Sequence, residues 1–174
     1  LLLLNGAFRY APNLEALENL VFQINPLLQK EGFPYQILVC GMDIPEKFKN
    51  TRFPNLMAIG YVKDIETYLK GCQVFLNPVI RGAGIKTKLV EALGYNLNSV
   101  STENGSVGID PVLCNGKLLV CPDSNWEEFA RLIRQMAEIQ IPIPQAFYDH
   151  FYWDNIARRA AEFIQTGAAR EYGI

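Results

Sequence analysis

Residues 73–94 read QVFLNPVIRGAGIKTKLVEALG. Gln73–Asn77 is a short apolar run of strand-forming residues, ended by Pro78, which cannot continue a central strand. Gly82 and Gly84 admit positive φ and close backbone approach, and Lys86–Gly94 then reads as a helix. A strand passed through a glycine turn into a helix is the unit from which parallel sheets are built. Working outward, the same alternation recurs. Leu1–Asn5, Tyr35–Cys40 and Asn55–Gly60 are expected strands before this segment, and Leu97–Ser101 and Lys117–Val120 after it. Their apolar runs are continuous rather than alternating, as in strands covered on both faces. Pro12 is placed to open a helix of about 18 residues. Its apolar face is Leu14, Leu17, Val21, Ile24 and Leu28, and Gly32 and Pro34 stop it. Asp64–Lys70 predicts a short helix with Asp64 as N-cap. Ser124 to Glu127 has the S-x-x-E form of a capping box, opening a helix that buries Phe129, Ala130, Ile133, Met136 and Ala137. Beyond Pro142 and Pro144 an aromatic cluster, Phe147 to Trp153, leads into an amphipathic helix over Asn155–Gln165. The expected fold is α/β: a Rossmann-like, doubly wound parallel sheet of about six strands with helices on both faces. Ligands of such folds bind beyond the C-terminal strand ends, where the strand order reverses. Here that points to the loops after the first and fourth strands.

The chain has 174 residues, the size of one domain, and is read as a single unit over 1–174. Its net charge of −2 argues against a nucleic-acid partner. Cys40, Cys72, Cys114 and Cys121 form no C-x-x-C pair and have only His150 to join them, so no metal site is expected. The thiols read as reduced and buried, which points to a cytoplasmic protein. Leu1–Leu4 is far too short to span a membrane. The chain starts without methionine and directly in a strand, which reads as a piece of a longer protein.

A glycine turn at a helix N-terminus offers free N–H groups and a positive dipole end to a phosphate. Arg81, Lys86 and Lys88 add charge beside it, and Glu91 is placed to accept hydrogen bonds from a ribose diol. A plain reading stands beside this one. G-x-G often does no more than turn the chain, the lysines are then solvated, and Glu91 pairs with Lys88 at i, i+3.

Residues 78–109, PVIRGAGIKTKLVEALGYNLNSVSTENGSVGI, resemble the donor-site segment of family-4-type retaining GT-B glycosyltransferases. That segment reads P-x-x-x-G-x-G-x-K-x-K-x-x-E-A, then V-x-[ST] and a glycine-bearing loop. Asn5–Asn13 (NGAFRYAPN) is similar to the opening loop of the second domain in this group, and Gly60–Asp64 (GYVKD) to its G-x-V-x-D turn. Lys117–Val120 with Trp126–Phe129, and Phe151–Ile156 (FYWDNI), resemble its closing strand and helices. The motifs follow in order over nearly the whole chain.

The resemblance implies one half of a GT-B fold that binds a UDP-, GDP- or ADP-sugar. The N–H groups of Gly82, Ala83, Gly84 and Ile85 would hold the diphosphate. Arg9 and Lys86 would neutralise it, with Arg81 and Lys88 as further cations. Glu91 would hold the ribose, and the base would lie near Gly60, Tyr61 and Val62. No metal or other cofactor is implied. The sugar would pass to a saccharide or lipid-linked acceptor bound mainly by an N-terminal GT-B domain outside this chain, towards which the last helix, about 152–166, packs. Hexosyl transfer, polysaccharide biosynthesis and a cytoplasmic or membrane-peripheral location follow from the family, and the fragment alone should bind donor without transferring sugar. One position departs from the pattern. Many members carry a sugar-binding glutamate eight residues before the ribose glutamate, where this chain has Ala83. A non-catalytic scaffold and a sugar-nucleotide epimerase are the alternatives, although near the cleft only Glu91 and Glu103 are acidic. A nicotinamide dehydrogenase is disfavoured, since Asn5–Tyr10 lacks G-x-G-x-x-G. Asn104, Gly105 and Gly108 either approach the donor or form a plain turn, and His150 is read as a packing residue.

Overall fold

The computed structural model describes the backbone of residues 1–49 and 53–172, and side chains as far as Thr166. Residues 1–143 and 144–174 form two compact units. The first holds a six-stranded sheet: β1 (Leu2–Asn5), β2 (Ile37–Cys40), β3 (Leu56–Gly60), β4 (Val74–Asn77), β5 (Asn98–Thr102) and β6 (Leu118–Cys121). The order is β3-β2-β1-β4-β5-β6 and every pairing is parallel. The doubly wound sheet expected from the apolar runs is therefore present, with its order reversing between β1 and β4. Those two strands share only the pairs Leu2↔Val74 and Leu3↔Phe75.

Leu2, Leu3 and Leu4 are all buried, as are Val74, Phe75 and Leu76. Successive side chains point to opposite faces, so both faces must be covered. On one face Leu2, Leu4, Val74 and Leu76 join Leu17, Leu20, Ile24, Phe129 and Ile133 in a single cluster. On the other lie Leu3 and Phe75. The helix opening near Pro12 has three parts: α1 (Ala11–Asn19), a π-turn (Leu20–Ile24) and α2 (Asn25–Lys30). The wide turn was not legible in the spacing. Pro26 has no N–H, and its ring would press on the carbonyl four residues back in a regular α-helix. Here the Asn25 N–H reaches back five residues to Leu20, which lets the helix pass the proline and keep Leu17, Ile24 and Leu28 buried.

The remaining helices are α3 (Glu46–Lys49), α4 (Ile65–Gly71), α5 (Thr87–Gly94), α6 (Glu103–Ser106) and α7 (Trp126–Met136), with one 3-10 turn at Pro111–Cys114. Asp64 caps α4 as expected, accepting from the Thr67 N–H at 3.4 Å and its hydroxyl at 2.6 Å. The capping box at Ser124 does not form. Ser124 takes φ +63°, the cap is Asn125, whose Oδ1 accepts from Glu128 N at 3.2 Å, and Glu128 pairs with Arg131. In the second unit the aromatic cluster is itself helical, α8 (Gln145–Phe151), and α9 runs over Trp153–Tyr172, beyond the expected end. The exposed His150 ring lies edge-on to Phe151 with centroids 4.8 Å apart, a packing contact.

The crevice at the sheet reversal

Where β1 and β4 part, the loop after β1 faces the glycine loop after β4. The first loop is pinned by Gly6 N to Cys40 O (3.1 Å), Phe8 N to Met42 O (2.9 Å) and the buried Phe8 ring. Gly41 donates to Gly60 O at 2.7 Å, and a Cβ there would strike the Gly6 carbonyl, so the ends of β1, β2 and β3 are fastened together. The glycine loop carries positive φ at Gly82 (+102°) and Gly84 (+71°). A Cβ on Gly82 would stand 3.2 Å from the Tyr10 hydroxyl, so the two loops meet there.

Lys86 turns back on its own loop, its Nζ donating to the carbonyls of Gly82 (3.1 Å) and Gly84 (2.9 Å), and burial lowers its pKa. Lys88 reaches across the reversal. Its Nζ donates to Asn13 Oδ1 at 2.8 Å and to Asn5 O at 3.4 Å, while Asn13 Nδ2 holds the Ala7 carbonyl at 3.1 Å. Burial, and secondarily the charge of Lys86, push the Lys88 ammonium down to about 8. Against an ordinary lysine that is a cost of roughly 3 kcal/mol for holding the charge among neutral partners. Helix α5 starts beside both lysines, and the side chain at its N-cap, Lys86, makes no capping hydrogen bond.

The other expected residues are distributed around this centre. Arg81 pairs with Glu15 of α1. Ala83 and Ile85 are exposed on the loop. Glu91 is exposed on α5 and makes no ion pair with Lys88, whose ammonium is committed to Asn13 and Asn5. Arg9 is not drawn into the lysine cluster; it points to Asp43 after β2 at 3.4 Å, with its side chain 85% exposed. Tyr61 and Val62 line a hollow of about 210 Å³ together with Asn5, Gly6, Cys40 and Gly41, and Gly60 borders the neighbouring hollow, with Tyr61. Beyond β5, Gly105 is buried, and its carbonyl accepts from Asn77 Nδ2 at 2.9 Å. Asn77 Nδ2 also donates to Ser101 Oγ at 3.0 Å, and Thr102 Oγ1 caps α6. Gly105 thus serves the packing under the crevice.

Sequence reasoning missed Asn5, Tyr10, Asn13 and Asn77. The signal was an asparagine at the end of each of two apolar strands, which become neighbours only in the fold. Among the described residues the buried Oδ1 atoms of Asn5, Asn77 and Asn104 have no hydrogen-bond partner, and all three residues lie at this end of the sheet.

The chain matches the family described as glycosyl transferases group 1 over residues 1–138. No curated protein matches it. Among solved structures it is similar to WaaG, a glycosyltransferase involved in lipopolysaccharide biosynthesis, with a TM-score of 0.62 and 19% identity over 95% of this chain and 47% of that one. A glycosyltransferase from Rickettsia africae superposes with a TM-score of 0.68 at 13% identity, covering 93% of this chain and 46% of that one. Anabaena HepE, solved in complex with UDP, gives 0.64 at 12% identity, covering 95% and 48%. The chain therefore spans about half the length of these relatives, and at such identities they speak for the fold. With the six-stranded reversal and the match over residues 1–138, the chain belongs to the glycosyl transferases group 1 and has the α/β architecture of one GT-B half.

Proposed function

We propose that this chain is the nucleotide-sugar-binding half of a family-4-type, retaining GT-B glycosyltransferase, and that the crevice between β1 and β4 holds the donor diphosphate. One observation carries the reading: Lys88 is held, at an electrostatic cost, beside a glycine loop and an uncapped helix start. An anion there relieves the cost, and groups perturbed in this way cluster at functional sites. The N–H groups from Gly82 to Ile85 and the positive end of α5 supply fixed dipoles, while Lys86 and Lys88 supply charge. Together they stabilise the diphosphate as its bond to the sugar C1 breaks and the acceptor hydroxyl adds on the same face, its proton passing to the departing phosphate oxygen. Dipoles and cations of this kind do the work of a metal ion. Arg9 joins the phosphates by leaving Asp43, an exposed pair that is cheap to break, and Arg81 remains with Glu15. Glu91 is free to take the ribose hydroxyls, and Tyr61 and Val62 border the base.

The acceptor, a saccharide or a lipid-linked saccharide, belongs to an N-terminal domain outside this chain. The chain alone then binds donor without transferring a hexosyl group, and the full protein works in the cytoplasm or at a membrane surface. Among the described residues no helix is long and apolar enough to cross a membrane. Ala83, in place of a sugar-binding glutamate, favours a second reading, a scaffold that retains the fold without turnover.

Calorimetry with UDP, GDP and ADP tests the proposal, with UDP first because HepE was solved with it. One nucleotide should bind, and Lys86→Ala and Glu91→Ala should each weaken it about tenfold or more, the loss of one charge-assisted contact. Failure of all three nucleotides to bind both the folded chain and the full-length protein would sink the donor-site reading. Binding without turnover in the full-length protein would favour the scaffold.

A further inference from the structure

At the end of the sheet opposite the glycine loop, the starts of β4, β5 and β6 border a polar cavity of about 310 Å³. Gln73, Asn96, Asn98 and Lys117 line it from the sheet side, and Ile139 to Ile141 from the segment that follows α7. Lys117 is only 3% exposed. Its Nζ donates to the Ile141 carbonyl at 2.9 Å, and among the described residues no carboxylate stands within ion-pair distance. An ammonium carries three donors and no acceptor, so a single carbonyl leaves it both undersupplied and uncompensated. Asn98 is 5% exposed. Its Nδ2 donates to the carbonyls of Met136 (2.7 Å) and Ile139 (2.8 Å), while its buried Oδ1 has no partner among the described residues.

A buried cation without a counter-charge is expensive, and an apolar side chain of similar length would fill the same space at no such cost. The donor-site reading uses neither Lys117 nor Asn98, which sit at the wrong end of every strand. We propose that this cavity is a second ligand site, for a small oxyanion such as a phosphate monoester, with the Lys117 ammonium as counter-ion. The chemistry is complementary: the site offers the anionic group a cation that a single carbonyl leaves short of partners. Gln73 and Asn96 border the cavity as further polar contacts. The inference is independent of nucleotide binding and would survive its failure.

Glycerol 3-phosphate is the probe, titrated into the whole chain and followed by NMR at the Asn98 side-chain amide and the Lys117 and Ser99 backbone amides. These signals should shift saturably, should do so equally in Lys88→Met, and should lose about tenfold or more in affinity in Lys117→Met. Shifts confined to the glycine loop, or equal binding by a folded Lys117→Met, overturn the proposal. Should that variant not fold, the wild-type Lys117 ammonium decides: its pKa rises by about one unit or more with the probe if an anion sits beside it, and an unchanged value overturns the site.

Discussion

Lys88 ties stability to pH in a direction that can be worked out. Its pKa is depressed in the folded chain to about 8, from 10.5. Between those values the unfolded chain binds more protons, so stability rises with pH across the window, and below 8 the full cost is present. The buried thiols Cys40, Cys114 and Cys121, raised to about 11, act the other way above pH 9. Urea unfolding should therefore show a gain of about 1 kcal/mol for wild type over Lys88→Met between pH 7 and 9; parallel curves would refute the cost of this half-buried charge. A bound diphosphate returns the lysine to its charged form. Nucleotide binding at pH 8.5 should accordingly take up protons, visible as a dependence of calorimetric heat on buffer ionisation enthalpy and absent from Lys88→Met. Part of this crevice was legible in the sequence: Gly82 and Gly84 mark a turn of positive φ that leads into a helix. The special status of Lys88 was not, because it depends on Asn13, 75 positions away and brought near by the packing of α1. The turning away of Arg9 was equally hidden, since Asp43 lies in a different loop.

Among the elements, the existence of the strands followed from apolar runs broken by glycine and proline, a local signal, whereas their order in the sheet is set by long-range pairing. Caps were less legible, since three adjacent polar residues, Asp123, Ser124 and Asn125, each suit an N-cap and only the chain's approach to the sheet chooses. The choice of Asn125 has a measurable consequence. Asn125→Ala should cost about 1 kcal/mol in thermal or urea unfolding, the usual value of a lost cap. Ser124→Gly should cost nothing or stabilise slightly, because Ser124 holds φ +63°. A larger loss at Ser124 than at Asn125 would restore the capping box. The π-turn shows the same limit: apolar spacing marks the buried face of α1 and α2, while the accommodation of Pro26 is a matter of backbone hydrogen bonds.

For the whole molecule, the division after Ile143 predicts where the chain is cut. Limited proteolysis should leave a resistant core ending near Ile143, with early cleavage in residues 144–174; early cuts inside β1 to β6 would contradict the unit boundaries. The sheet also has a grain. The strands on one side of the reversal, β3, β2 and β1, and those on the other, β4, β5 and β6, are each joined by longer ladders than the two residue pairs that link β1 to β4. That junction is a seam, and the crevice lies directly over it. Pulled across its strands, the sheet should part between Leu2–Leu3 and Val74–Phe75 before anywhere else. A molecule gripped by Lys88 on one side and the β1 loop on the other would act as a clasp, raising the force at which the two halves tear apart.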